Sequence, residues 1–158
     1  KLRRVNKGKK NKDGVPVGES TYHSPVSARK YVFTEYANNP DVKRWKKEDA
    51  SFSPTEVKNY PIQGTATGDI VPLVLGILYR VLKNNDVLKD KCLLINTVHD
   101  DIMFDVHGDV LAEAIITIRQ VMENAPKYIK ETWNFSFDLP LKVGVSVGRN
   151  WLEQTKLP

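Results

Sequence analysis

The sequence predicts an α+β fold, an antiparallel sheet covered on one face by helices, on three observations. Two apolar runs, 91–98 and 102–107, are separated only by His99-Asp100-Asp101, the pattern of a β-hairpin. Apolar residues recur at helical spacing both before and after this hairpin. The order helix, strand, strand, helix, strand lacks the regular alternation of a parallel sheet.

Each element follows from its residues. Residues 1–20 read as a basic loop or arm, rich in Lys, Asn and Gly and without apolar periodicity. Residues 21–36 read as two short strands around Ser24-Pro25, with Tyr31, Val32 and Phe33 supplying strand propensity. Residues 38–53 read as loop with room for one helical turn. Ser53-Pro54-Thr55-Glu56 has the form of a helix start, with Ser as cap, Pro first and Glu third. Ala66, Ile70, Leu73, Val74, Ile77, Leu78 and Val81 then mark one helical face. Pro72 falls inside that run and should kink the helix or start a new one. Residues 110–124 form an amphipathic helix through Leu111, Ala114, Ile115, Ile118, Val121 and Met122, with Asp109 as its expected cap. Residues 141–147 alternate as a last strand.

Composition excludes several classes. The 158 residues are 41% hydrophobic and 27% charged, the balance of a folded globular chain rather than a disordered or fibrous one. No run approaches the roughly 18 apolar residues of a spanning helix, so no membrane partner is expected. The single cysteine, Cys92, excludes an internal disulfide framework and fits a reducing compartment. A chain opening at Lys1 without an initiator Met reads as a trimmed or processed product or a fragment. The net charge of +5 is uneven. Residues 1–50 hold 13 basic against 6 acidic side chains, leaving +7, and residues 51–158 hold 11 against 13, leaving −2. Seven basic residues fall in the first twelve. Such a block is either a solvated arm or a phosphate-contacting one.

His99-Asp100-Asp101 is the candidate for chemistry. Three ionisable residues at a hairpin tip can be a polar turn. They can equally be a site for a hard cation such as Mg²⁺, which takes carboxylate oxygens. Adjacent residues in extended chain point to opposite faces, so one Asp would be the main ligand and the other an auxiliary. A two-metal site needs further carboxylates. Asp69 and Asp105 are available, though they read as a helix-surface and a strand-surface residue. The second candidate is the segment from Asn59 to Ala66, where Asn59 and Gln63 carry amide donors and acceptors suited to base or sugar edges. A polar helix entrance explains the same residues. The three histidines, His23, His99 and His107, do not form a metal cluster, and Arg29-Lys30-Tyr31 reads as strand packing or as a base-stacking group.

Together these segments resemble family A DNA polymerases of the bacterial DNA polymerase I type, and bacteriophage members especially. NYPIQGTATGDIV resembles the family's Asn-x-Pro-x-Gln-Gly-Thr-Ala-x-Asp segment, and VHDDIMFDVH its motif C. VGVSVGRNW, residues 143–151, resembles its C-terminal signature, with Gly148 and Trp151 in place. YHSPVSARKYVF resembles, more loosely, the return from fingers to palm. The resemblance implies a partial polymerase palm. Residues 1–20 would be a basic arm, 21–52 the fingers–palm return, and 53–158 the C-terminal palm region. It implies a template-directed nucleotidyltransferase in DNA replication, acting on a DNA primer–template with deoxynucleoside triphosphates. Asp100 would bind catalytic Mg²⁺ and His99 would lie near the primer end. Asp101 stands where the family usually has Glu, one methylene longer. Asn59 and Gln63 match duplex-contacting residues.

No segment matches the family's motif A, Asp-Tyr/Phe-Ser, or its motif B helix with Arg, Lys and Tyr. The resemblance therefore implies half of a two-metal site. A complementary chain or further portion would carry motifs A and B, and the chain alone would be inactive. An unpaired palm face would also favour association with that chain or with a second copy. The implied location is the cytoplasm, that of the host for a bacteriophage protein. The alternative is a nucleic-acid-binding module derived from a palm and without catalysis. A metal phosphohydrolase is a third reading, but such enzymes place His-Asp pairs on helices.

Overall fold

The computed structural model describes residues 4–10, 16–37 and 50–158. They fall into two compact units, one running to Gly68 and the other beginning at Asp69. The fold is α+β, as the hairpin and helix pattern predicts. Antiparallel pairing is divided among several small sheets rather than gathered into one.

In the first unit, β1 (Arg4–Lys10), β2 (Pro16–His23) and β3 (Lys30–Thr34) form an antiparallel sheet in that order. The expected loop over residues 1–20 is thus corrected. Lys, Asn and Gly have weak strand propensity, but β1 gains its backbone hydrogen bonds from β2, and tertiary pairing overrides propensity. The expected arm residues 1–3 and 11–15, and the expected loop over 38–49, lie outside the described residues. The β2–β3 turn is as expected. The buried Ser24 hydroxyl accepts from the Val26 N–H at 3.2 Å, and Ala28 closes the turn at φ 59°. Beyond the strand, the buried Glu35 side chain accepts the Gly18 N–H at 2.8 Å, a hydrogen bond that offsets part of the cost of burying a polar group. The short strands β4 (Tyr36–Ala37) and β5 (Ala50–Ser51) pair with each other.

Helix α1 (Pro54–Thr65) begins as its sequence predicts. The Ser53 hydroxyl accepts from the Glu56 N–H at 3.3 Å, and Pro54 takes the first turn, where no donor is needed. Pro61 sits inside the helix, and the Thr65 hydroxyl donates to its carbonyl at 2.9 Å. A π-turn over Ala66–Ile70 leads into α2 (Val71–Asn84), with Pro72 in the first turn of α2. Pro72 has no N–H to offer the carbonyl four residues back, that of Gly68. The Arg29 guanidinium donates to that Gly68 carbonyl. The extra residue of the π-turn also shifts the helix face by about 100°. This corrects the placing of Asp69 on a helix surface, since Asp69 is buried.

The second unit holds the core. Val74, Leu78 and Leu82 form a stripe at four-residue spacing on α2. Val74 and Leu78 pack with Val121 of α3 (Leu111–Glu123) and Ala125 of α4 (Ala125–Trp133). Leu82 packs with Leu88, Cys92, Val110 and Ala114. The expected cap Asp109 is replaced by His107, whose Nδ1 accepts from the Asp109 N–H at 3.4 Å and opens a 3₁₀ turn over Gly108–Val110. Helix α4 was not expected. Pro126 resembles a breaker but occupies a first turn, which tolerates it. Asn134, at φ 53°, ends that helix. The expected strand 141–147 shortens and shifts to β8 (Ser146–Gly148), which pairs with β9 (Gln154–Lys156).

By length and composition alone, the helical run Pro54–Asn84 is long and apolar enough to cross a membrane, so the expectation that no run qualifies does not hold. The helix passes through Pro61 and through Pro72, the residue expected to kink the run or start a new helix. Its Val74–Leu78–Leu82 stripe packs into the core of the second unit.

Candidate active site

The hairpin of the second unit consists of β6 (Cys92–Val98) and β7 (Asp101–Val106). Its base is anchored. Cys92 is buried, and Phe104 and Val106 pack against the same cluster. Burial pushes the Cys92 thiol up, toward the neutral form. Burial then falls along the strand, and Ile95 through Asp101 are exposed. Val98 pairs with Asp101, so the turn is two residues, His99-Asp100, and not the expected three. His99 takes φ 56°, the left-handed region that primed hairpin turns require at their first central residue. A bulky side chain is strained there, and such strain concentrates at functional sites. A register irregularity between Leu94 and Asn96 adds a kink below the tip.

His99, Asp100 and Asp101 therefore lie together at one exposed tip, Asp101 as the first residue of β7. Asp105 is exposed opposite Leu93, as a strand-surface residue would be. Among the described residues, no three His, Cys, Asp or Glu side chains converge as a metal-binding group. Asp100 and Asp101 supply hard oxygen donors. One or two carboxylates, with water and substrate phosphate, are what Mg²⁺ ordinarily takes, so these residues fit part of such a shell.

Asn59 and Gln63 belong to the first unit. They stand four residues apart on α1, exposed on one face. The opposite side of α1 meets β3, with Phe33 and Tyr60 ring centroids 6.2 Å apart. Gly64 lies against Tyr31, where a Cβ would come 2.1 Å from the Tyr31 hydroxyl. The motif glycine is thus a packing requirement. Neither this contact nor the Arg29 bond to Gly68 has a local sequence signal, because more than thirty residues separate the partners. Gly148 has a similar reason, since a Cβ there would lie 1.9 Å from the Glu153 carbonyl oxygen. Trp151 is exposed on the loop that follows, where the Asn150 side chain accepts from the Leu152 and Glu153 N–H groups.

The description "DNA polymerase family A" matches residues 17–153. The chain belongs to this family. It is 38% identical over 95 residues to a thermostable DNA polymerase I of Thermus filiformis, covering 60% of this chain and 10% of that protein. It is 29% identical over 126 residues to a DNA polymerase of Bacillus phage SP01, covering 80% of this chain and 13% of that one. A DNA polymerase I of Lactococcus lactis is 32% identical over 114 residues, covering 72% of this chain and 12% of its own length. The chain thus spans roughly a tenth of the length of these polymerases. No solved structure matches it.

Proposed function

We propose that this family A chain is the palm portion that carries the motif C hairpin of a DNA-directed DNA polymerase. The reaction is template-directed nucleotidyl transfer, with a DNA primer–template and deoxynucleoside triphosphates as substrates. The observation supporting this most is His99-Asp100 at the exposed two-residue tip of a hairpin anchored at its base. A rigid support with an open tip is what a carboxylate needs to face substrate.

Asp100 would hold the cation, with Asp101 as the auxiliary carboxylate. Magnesium, when bound, supplies charge neutralisation at the phosphoryl group being transferred. His99 offers ring nitrogens to the primer end. Asn59 and Gln63 hold the duplex through amide hydrogen bonds that do not depend on protonation. The second carboxylate of a two-metal site comes from a complementary polymerase chain or from a further portion of the polymerase. The chain on its own is accordingly inactive in extension.

The test is Asp100→Ala in a polymerase that contains this chain. Loss of several kcal/mol of charge stabilisation lowers primer extension by at least about 100-fold, while DNA affinity is retained. Unchanged extension would refute the catalytic role. If Asn59→Ala and Gln63→Ala then still weakened DNA binding, the chain would be a nucleic-acid-binding module.

A further inference from the structure

Residues 142–158 include no buried residue. Their regular structure is the hairpin of β8 and β9, three residues a side, and a two-stranded hairpin is marginal in water on its own. Leu141, just before this segment, packs into the core cluster of Val74, Leu78, Val121 and Ala125. Beyond it, two side chains of α3 reach the segment. The Glu123 carboxylate accepts the Val143 N–H at 3.4 Å, and the Arg119 guanidinium donates to the Pro158 carbonyl at 3.3 Å. Arg119 and Glu123 stand one turn apart on α3, the spacing at which opposite charges ordinarily pair with each other. Here each bonds a backbone group at one end of the segment instead. Arg119 does so at a cost, since its buried Nε has no hydrogen-bond partner among the described residues. Core packing alone does not account for that side chain, because an apolar one would fill the place without an unpaired donor.

We infer that residues 142–158 form a detachable strap, clipped at its two ends to α3 by Glu123 and Arg119, which opens as one unit while the core of the second unit stays folded. The β8–β9 pairing and the 2.8 Å bond from the Leu157 N–H to the Val145 carbonyl lie within the segment, so opening does not break them. They tie the two ends together and make the opening cooperative. The bonds that opening does break are the two clips, and both are long for hydrogen bonds. Segments with little buried apolar area open at lower free energy than the core that carries them. In the open form Arg119 and Glu123 are free to pair across one turn of α3, so the same two charges have two discrete arrangements. Trp151 and Leu152, exposed at the hairpin turn, travel with the strap.

The experiment is amide hydrogen exchange of the isotope-labelled 158-residue chain, read by NMR where protection reports the opening equilibrium. The Val143 and Leu157 amides should be protected at least about 100-fold less than the Leu82 amide of α2. Arg119→Met keeps the stem of the side chain and removes its donors. It should lower the protection of both strap amides about three- to tenfold, although Val143 lies at the other end, and leave Leu82 unchanged. Glu123→Ala should act likewise on both, whereas Glu123→Gln, whose amide oxygen still accepts, should keep both near the parent value. A strap amide as well protected as Leu82 would overturn the inference. So would an Arg119→Met effect confined to Leu157, the mark of a fraying end, or one that extends to Leu82, which would make the clip part of the core.

Discussion

Replacing Gly64 by Ala sets two known effects against each other. Gly64 is the penultimate residue of α1 but lies inside the continuous helical run Pro54–Asn84, where Ala is favoured over Gly by about 1 kcal/mol. Propensity alone therefore predicts a more stable protein. The added methyl, however, would sit 2.1 Å from the Tyr31 hydroxyl oxygen and 2.6 and 2.7 Å from two ring carbons. An aromatic ring cannot bend, so it must shift by about 1 Å or swing away. Overpacking of this kind costs about 1–3 kcal/mol. Swinging away would also disturb the Tyr22–Tyr31 ring pair, with centroids at 6.2 Å, a contact worth about 0.5–1.5 kcal/mol. Sterics should win by about 1–2 kcal/mol. Urea unfolding followed by far-ultraviolet circular dichroism measures the sign. In a Tyr31→Ala background the same substitution should become neutral or stabilising, which gives a large coupling energy. A Gly64→Ala protein more stable than the parent would refute the packing role assigned to this glycine.

Two further outcomes probe the second unit. Leu78 is fully buried between α3 and α4 residues, so Leu78→Ala should cost about 2–5 kcal/mol in the same unfolding assay. Cys92 has its thiol pKa raised by burial, so the folded state disfavours the thiolate. The sign follows: this contribution is fully present below the unfolded thiol value of about 8.5 and is lost as pH rises above it. Native Cys92 should therefore resist alkylation at pH 8, and a Cys92→Ala variant should show a flatter loss of stability at high pH.

Much of this architecture is legible in local chemistry. Ser53 and Pro54 announce α1, and the apolar stripe through Val74 and Leu78 announces α2, because caps and periodicity are short-range signals. The hairpin is legible for the same reason, yet its turn length is not. Asp101 has the polarity of a turn residue but pairs with Val98. Strand β1 is illegible, because its hydrogen bonds come from a partner strand and its own residues have weak propensity. The burial of Asp69 is hidden too, since a π-turn rotates the helix by one residue and no residue type specifies it. Of the candidate site, the exposed amide face of α1 and the His99–Asp101 tip are readable as patterns. The packing reasons for Gly64 and Gly148 depend on contacts visible only in three dimensions.

In the proposed function, Asp100 at the hairpin tip holds the divalent cation. The most direct measurement is titration of the isotope-labelled chain with Mn²⁺, a paramagnetic stand-in for Mg²⁺, read by amide resonances. Selective broadening of residues 98–102, competed by Mg²⁺ and abolished by Asp100→Asn, is the expected result. Broadening that is centred elsewhere, or that persists unchanged in Asp100→Asn, would contradict it.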